Sequence, residues 1–210
     1  MEGIDKPKNI KCQQAENIYV ASCTKDGGIF HYKVIDDNFI LKSITKMDRP
    51  MYMIIEKQKM YIVLRAPFEN GECRVVVYDL AEDGTLTNPS EIMSTKGEVA
   101  CHIAVHKEKI YCANYISGSV IMLPETVIKH EGKGIHPERQ EGPHVHYVGM
   151  TPDDKYLCVT DLGVDTIFLY EPDMTLHSTV KVPDGHGVRH LIFSEDGRYL
   201  FAVNELKSTV

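Results

Sequence analysis

Pro143–Glu171 reads PHVHYVGMTPDDKYLCVTDLGVDTIFLYE, and its plan returns at Val188–Val210 as VRHLIFSEDGRYLFAVNELKSTV. Each phrase runs from a histidine through a short apolar segment and an acidic turn to Tyr-Leu. A second apolar segment and a small polar loop follow. Self-similarity of this kind is weighed before any other feature, because a fixed period of 20–50 residues signals a repeat architecture. Met51–Leu80 (MYMIIEKQKMYIVLRAPFENGECRVVVYDL) and Cys101–Pro124 (CHIAVHKEKIYCANYISGSVIMLP) carry the same plan. Asn17–Val34 (NIYVASCTKDGGIFHYKV) matches its second half. The tyrosines that open the second segment are Tyr19, Tyr61, Tyr111, Tyr156 and Tyr199, spaced by 42, 50, 45 and 43 residues.

The segments read as strands. HIAV, YVGM and LIF are short apolar runs, closed by the turn sequences HKEK, TPDD and SEDG. IYCAN, YLCVTD and YLFAVNE are rich in the Tyr, Val and Leu that suit a pleated, buried surface. Third strands (SVIML, TIFLYE) follow Gly or Ser turns, and fourth strands fall in LKSIT, TVIKHE and HSTVKV. Four short strands in each period make one β-propeller blade. Glu125–Gln140 is polar and irregular; it reads as a loop that carries a fourth strand and runs on to the channel mouth. The expected fold is therefore all-β: four-stranded antiparallel blades over residues 17–210, about four and a half in number, after an N-terminal extension at 1–16. The first blade lacks its inner strand and Val210 falls inside a hairpin. The expectation is part of a longer ring, with open sheet edges that can pair with a second copy.

Charge and composition exclude several classes. A net charge of −7 argues against sequence-independent nucleic-acid binding, which needs clustered Lys and Arg. No apolar run reaches the roughly 18 residues of a membrane helix, and MEGIDKPKNIKCQQ has no apolar signal core. The expectation is a cytoplasmic protein that uses neither membrane nor nucleic acid. Of six cysteines (Cys12, Cys23, Cys73, Cys101, Cys112, Cys158), none forms a C-x-x-C pair, and several sit in strand runs as small hydrophobes. No ligand cluster has zinc spacing, so neither metal nor organic cofactor is expected.

CHIAVHKEKIYCANYISGSV, GPHVHYVGMTPDDKYLCVTDLGVDTIFLYE and above all RHLIFSEDGRYLFAVNEL resemble the lactonase family of seven-bladed β-propellers. That family includes propeller-type 6-phosphogluconolactonases and carboxymuconate cycloisomerases. The resemblance implies seven blades, of which this sequence would supply the first four and part of the fifth. It implies hydrolysis of a small-molecule lactone, foremost a phosphorylated sugar lactone of carbohydrate metabolism. A lactonizing cycloisomerase and a non-catalytic scaffold are the alternatives.

Lactone chemistry needs a general base, a group that stabilises an oxyanion, and cationic anchors for the substrate's charge. His102, His146 and His190 precede the tyrosine ruler by nine or ten residues and read as one repeat position facing the channel. A structural hydrogen-bonding role for them is the alternative. His144 breaks the repeat and reads as sharing a strand face with His146, so either is a candidate base. Arg189 reads as standing where Cys101 and Val145 stand in other blades; Glu205 stands where Tyr115 and Leu162 do. The family resemblance implies catalytic roles for Arg189 and Glu205, and points to the PHVH pair. Asn114, Asp161 and Asn204 share a strand end: Asn114 and Asn204 join His102 and His190 as candidate substrate-binding residues, with turn capping as the competing role.

Overall fold

The computed structural model describes residues 17–65, 68 and 70–210, and every element in it is a strand. The 1–16 extension and Cys12 lie outside the described residues. Blade 1 has three strands, β1 (Asn17–Ser22), β2 (Gly28–Ile35) and β3 (Asn38–Lys46). Blade 2 comprises β4 (Pro50–Glu56), β5 (Lys59–Leu64), β6 (Arg74–Leu80) and an outer edge split into β7 (Leu86–Thr87) and β8 (Met93–Ser94), both paired to β6. Blade 3 comprises β9 (Ala100–His106), β10 (Lys109–Asn114), β11 (Ser119–Met122) and β12 (Thr126–Lys129). Blade 4 comprises β13 (Val145–Met150), β14 (Leu157–Asp161), β15 (Thr166–Tyr170) and β16 (Leu176–Lys181). Blade 5 holds β17 (Val188–Phe193) and β18 (Leu200–Asn204). All ladders are antiparallel, and neighbouring blades meet along the first strands β4, β9, β13 and β17.

The core lies between blades. On β10, Tyr111 and Ala113 face blade 4 with Val145, Val148 and Val159, while Cys112 faces blade 2 with Val63 and Val75. Successive side chains leave opposite faces of a strand, so a strand covered on both sides must be apolar throughout. That is why KIYCAN and KYLCVTD lack polar alternation. The outermost blades confirm the rule by contrast: Ala202 packs on blade 4, while Phe201 and Val203 on the same strand are about half exposed. The tyrosine ruler has a physical basis. Tyr111 donates to Pro172 O at 2.8 Å and Tyr19 to Gly84 O at 2.7 Å, each bracing its blade against a turn of the next.

Candidate active site

Each inner strand of blades 2–5 begins with one extra residue. Pairing steps from Pro50↔Leu64 to Tyr52↔Val63, from Ala100↔Asn114 to His102↔Ala113, from Val145↔Asp161 to Tyr147↔Thr160, and from Val188↔Asn204 to His190↔Val203. The skipped residues are Met51, Cys101, His146 and Arg189. They are β-bulge residues, and a bulge re-aims its side chain away from the regular pleat. All four line one cavity of about 240 Å³, together with Arg65, Val99, Tyr115 and Arg139.

The register corrects the sequence reading by one residue. His146 is the counterpart of Met51, Cys101 and Arg189, whereas His102 and His190 correspond to Tyr52 and Tyr147. Val145 is therefore not the equivalent of Arg189. The loop positions do align as read: the N–H groups of Arg65, Tyr115, Leu162 and Glu205 donate to the carbonyls of Arg49, Val99, His144 and Gly187. Arg65 thus occupies in blade 2 the place of Glu205 in blade 5.

The structure joins Arg189 and Glu205. Their ion pair is direct, and the other carboxylate oxygen of Glu205 takes Arg139, which also reaches Tyr115 Oη at 3.4 Å. Burial pushes the Glu205 carboxyl up, but the hydrogen bond of Arg139 and the charge of Arg189 outweigh it and hold the group below its ordinary range. His146 is pushed down to about 4, first by burial and then by Arg189, so its imidazole is neutral at pH 7. Its Nδ1 has no partner among the described residues.

His102 and His190 form a second layer. Their rings and that of Tyr147 lie 4.6 to 5.0 Å apart, with Tyr52 a further 4.4 Å from His102. His102 Nδ1 accepts from Val148 N–H at 3.4 Å. Burial, then the neighbouring His190 and His146, lower its pKa to about 3. His144 does not line the cavity. It precedes β13, stacks on Tyr115 at 4.5 Å, and directs its ring nitrogens at Tyr115 O (3.2 Å) and Glu141 Oε1 (3.1 Å). The bulge breaks the two-residue alternation that would have put it beside His146.

Asn114 and Asn204 also stand off the cavity. Asn114 is fully buried and donates to Thr95 O and Ser119 Oγ; Asn204 donates to Thr209 Oγ1. Asn204 acts inside its own blade, and Asn114 also ties blade 3 to the end of blade 2 at Thr95. Asp161, at the same position, accepts from His144 N–H (2.7 Å), Gly163 N–H (2.9 Å) and His130 Nδ1 (2.7 Å), while His130 Nε2 meets Tyr170 Oη at 2.9 Å. A Cβ on Gly163 would sit 1.9 Å from Gly142 O, so only glycine fits that turn.

A larger groove, about 540 Å³, lies between the Lys57–Gln58 and Lys107–Glu108 turns of blades 2 and 3. Its acidic and basic side chains are mixed, and it has no convergent polar cluster. The bulge cavity is smaller but gathers three arginines and an imidazole, and two of those arginines hold the Glu205 carboxylate. No group of three or more metal-binding side chains is present among the described residues.

The family model described as "Lactonase, 7-bladed beta-propeller" matches residues 17–210. The chain belongs to the seven-bladed lactonase β-propeller family. An uncharacterized Staphylococcus epidermidis protein is 28% identical over 214 residues, covering 91% of this chain and 61% of its own length. A Staphylococcus aureus protein, likewise uncharacterized, is 27% identical over 216 residues, covering 92% and 62%. A Bacteroides fragilis structure, named as a candidate 6-phosphogluconolactonase, superposes with a TM-score of 0.78 at 28% identity, covering 92% of this chain and 62% of that one. A periplasmic gluconolactonase of Pseudomonas aeruginosa gives 0.76 at 25% identity, covering 90% and 61%. The chain thus spans about three fifths of the length of the family relatives it matches.

Proposed function

We propose that the bulge cavity is part of a lactone-hydrolysing site, with a phosphorylated sugar lactone of the 6-phosphogluconolactone kind as substrate. The observation that carries this reading is Arg189 on the cavity wall, paired with Glu205 and beside the neutral His146. Family membership supports it, as does the likeness to proteins named for gluconolactone chemistry.

The chemistry follows from the residue types. Water adds to the lactone carbonyl and gives its proton to the Glu205 carboxylate. The oxyanion faces the Arg189 guanidinium, whose positive charge is worth most in a partly water-excluded site. The ring C–O bond breaks, the departing alkoxide takes the proton back from Glu205, and the open acid leaves. Lactone and water become hydroxy acid with the proton count balanced. His146, neutral at pH 7, offers a hydrogen bond without adding charge.

The test is acid release from 6-phosphogluconolactone above the spontaneous rate, with Arg189→Ala alongside. Loss of the excess rate in a folded Arg189→Ala protein supports the reading. An Arg189→Ala variant as active as the parent removes Arg189 from the mechanism.

A further inference from the structure

The cavity holds more positive charge than hydrolysis alone uses. Arg65, Arg139 and Arg189 line it, and Glu205 is the carboxylate that engages the last two. With His146 neutral, these groups leave a surplus of two positive charges. Arg139 comes from the stretch that the sequence showed only as a polar loop, yet that stretch is a built structure.

Three buried anchors hold it. His130, at its start, is tied to Asp161 and Tyr170. Gln140, adjacent to Arg139 and 0% exposed, donates to Leu162 O at 2.9 Å and accepts from His136 N–H at 3.1 Å. The main chain closes on itself through Gly134 N–H to Gln140 O at 3.0 Å and Gln140 N–H to His136 O at 2.9 Å. A Cβ on Gly134 would lie 2.4 Å from Gln140 Cδ, so the loop is fitted around this glutamine. At its end, His144 N–H is fixed by Asp161. A buried, fully bonded glutamine next to a half-exposed arginine preorganises the arginine; a solvent loop needs no such support.

We propose that Arg139 is a ligand-binding residue that exchanges partners. In the free protein it neutralises Glu205; when a ligand bearing a phosphate dianion enters, Arg139 turns to the phosphate and Glu205 is left with Arg189 alone. The proposal rests on the lactonase reading for its substrate but not for its test. An arginine fork binds phosphate as readily as carboxylate, so the exchange replaces one charge-assisted pair by another. It would also free one carboxylate oxygen to accept a proton only when ligand is present.

Calorimetric titration of the open acid 6-phosphogluconate, gluconate and inorganic phosphate tests this without turnover. The parent is expected to bind 6-phosphogluconate at least tenfold more tightly than gluconate. Arg139→Gln should weaken 6-phosphogluconate by tenfold or more and leave gluconate within about twofold. Arg139→Lys, which keeps the charge but loses the fork, should fall between. Glu205→Gln removes the competitor and should tighten 6-phosphogluconate severalfold, a gain that a merely structural ion pair would not give. Free phosphate binding as tightly as 6-phosphogluconate, with the same response to Arg139→Gln, supports the exchange and makes free phosphate the ligand. An Arg139→Gln affinity within twofold of the parent, with an unchanged melting temperature, overturns the proposal. So does a Glu205→Gln variant that binds more weakly than the parent. Lactone hydrolysis with a KM unmoved by Arg139→Gln would sink the exchange and spare the lactonase reading. Arg139-dependent binding without hydrolysis would do the reverse.

Discussion

Replacing Asp161 separates two kinds of loss at the node that holds the site together. Asp161 is fully buried and accepts three hydrogen bonds, from His144 N–H, Gly163 N–H and His130 Nδ1. Asp161→Ala removes the acceptor of all three donors at a fully buried position. Bonds to a charged acceptor are worth about 1.5–3 kcal/mol each, and a newly made cavity adds to the cost. Allowing for relaxation, the loss is about 4–6 kcal/mol. At about 2–4 °C per kcal/mol for a chain of this size, the melting temperature should fall by roughly 10–20 °C. Asp161→Asn behaves differently. Its oxygen keeps both backbone donors, and its amide can donate to His130 Nδ1 if that ring shifts its proton to Nε2 and donates to Tyr170 Oη. Every bond survives, weaker by the lost charge, so the cost should be about 1–2 kcal/mol. Thermal denaturation of the three proteins followed by circular dichroism is the assay. Asp161→Ala within 3 °C of the parent, or Asp161→Asn as damaging as Asp161→Ala, would refute the reasoning.

The buried histidines make stability depend on pH. His102 and His146 titrate at about 3 and about 4 when folded, against about 6.5 unfolded, so between pH 4 and 6.5 the unfolded chain binds more protons. Stability is therefore complete above pH 6.5 and falls as the pH drops, by roughly 2 kcal/mol per histidine at pH 5. Urea titrations at pH 7 and pH 5 read this directly, and equal midpoints would contradict it. Cys73, Cys101, Cys112 and Cys158 are buried, with Cys101 pushed up to about 12 and Cys158 to about 11 by burial, while Cys23 is exposed. Under native conditions a thiol reagent should label Cys23 and spare those four, as peptide mapping would show; rapid labelling of Cys112, fully buried between blades, would mean an open blade interface. Arg139→Gln should raise the KM for a phosphorylated lactone by tenfold or more with kcat within threefold, so steady-state kinetics that show a fall in kcat alone would place Arg139 elsewhere.

The fold was legible because the propeller writes itself in a period. The ruler tyrosines recur for a reason that the structure shows in Tyr111 and Tyr19, which bond to turns of the following blade. The double-sided apolar strands follow from blades that bury both faces. The cavity was legible in half. Arg189 and Glu205 were legible through the family resemblance, while the repeat only set Glu205 at the loop position of Tyr115. The bulge was missed, although a trace of it was present: His146 stands ten residues before its tyrosine where His102 and His190 stand nine before theirs. That single residue moved His146 into the ring of Cys101 and Arg189 and took His144 out. Arg65 could have been found by the same alignment as Glu205, since each follows the second strand of its blade. Arg139 could not, because a loop outside the repeat carries it, and only the buried contacts of Gln140 reveal that the loop is ordered around it.

Acid release from 6-phosphogluconolactone by the parent and by Glu205→Gln, each corrected for spontaneous opening, tests the central claim most directly. The account predicts an excess rate in the parent that falls to background in Glu205→Gln, although the variant binds 6-phosphogluconate more tightly. A Glu205→Gln protein that opens the lactone as fast as the parent would show that the Arg–Glu cavity is not where the lactone is opened.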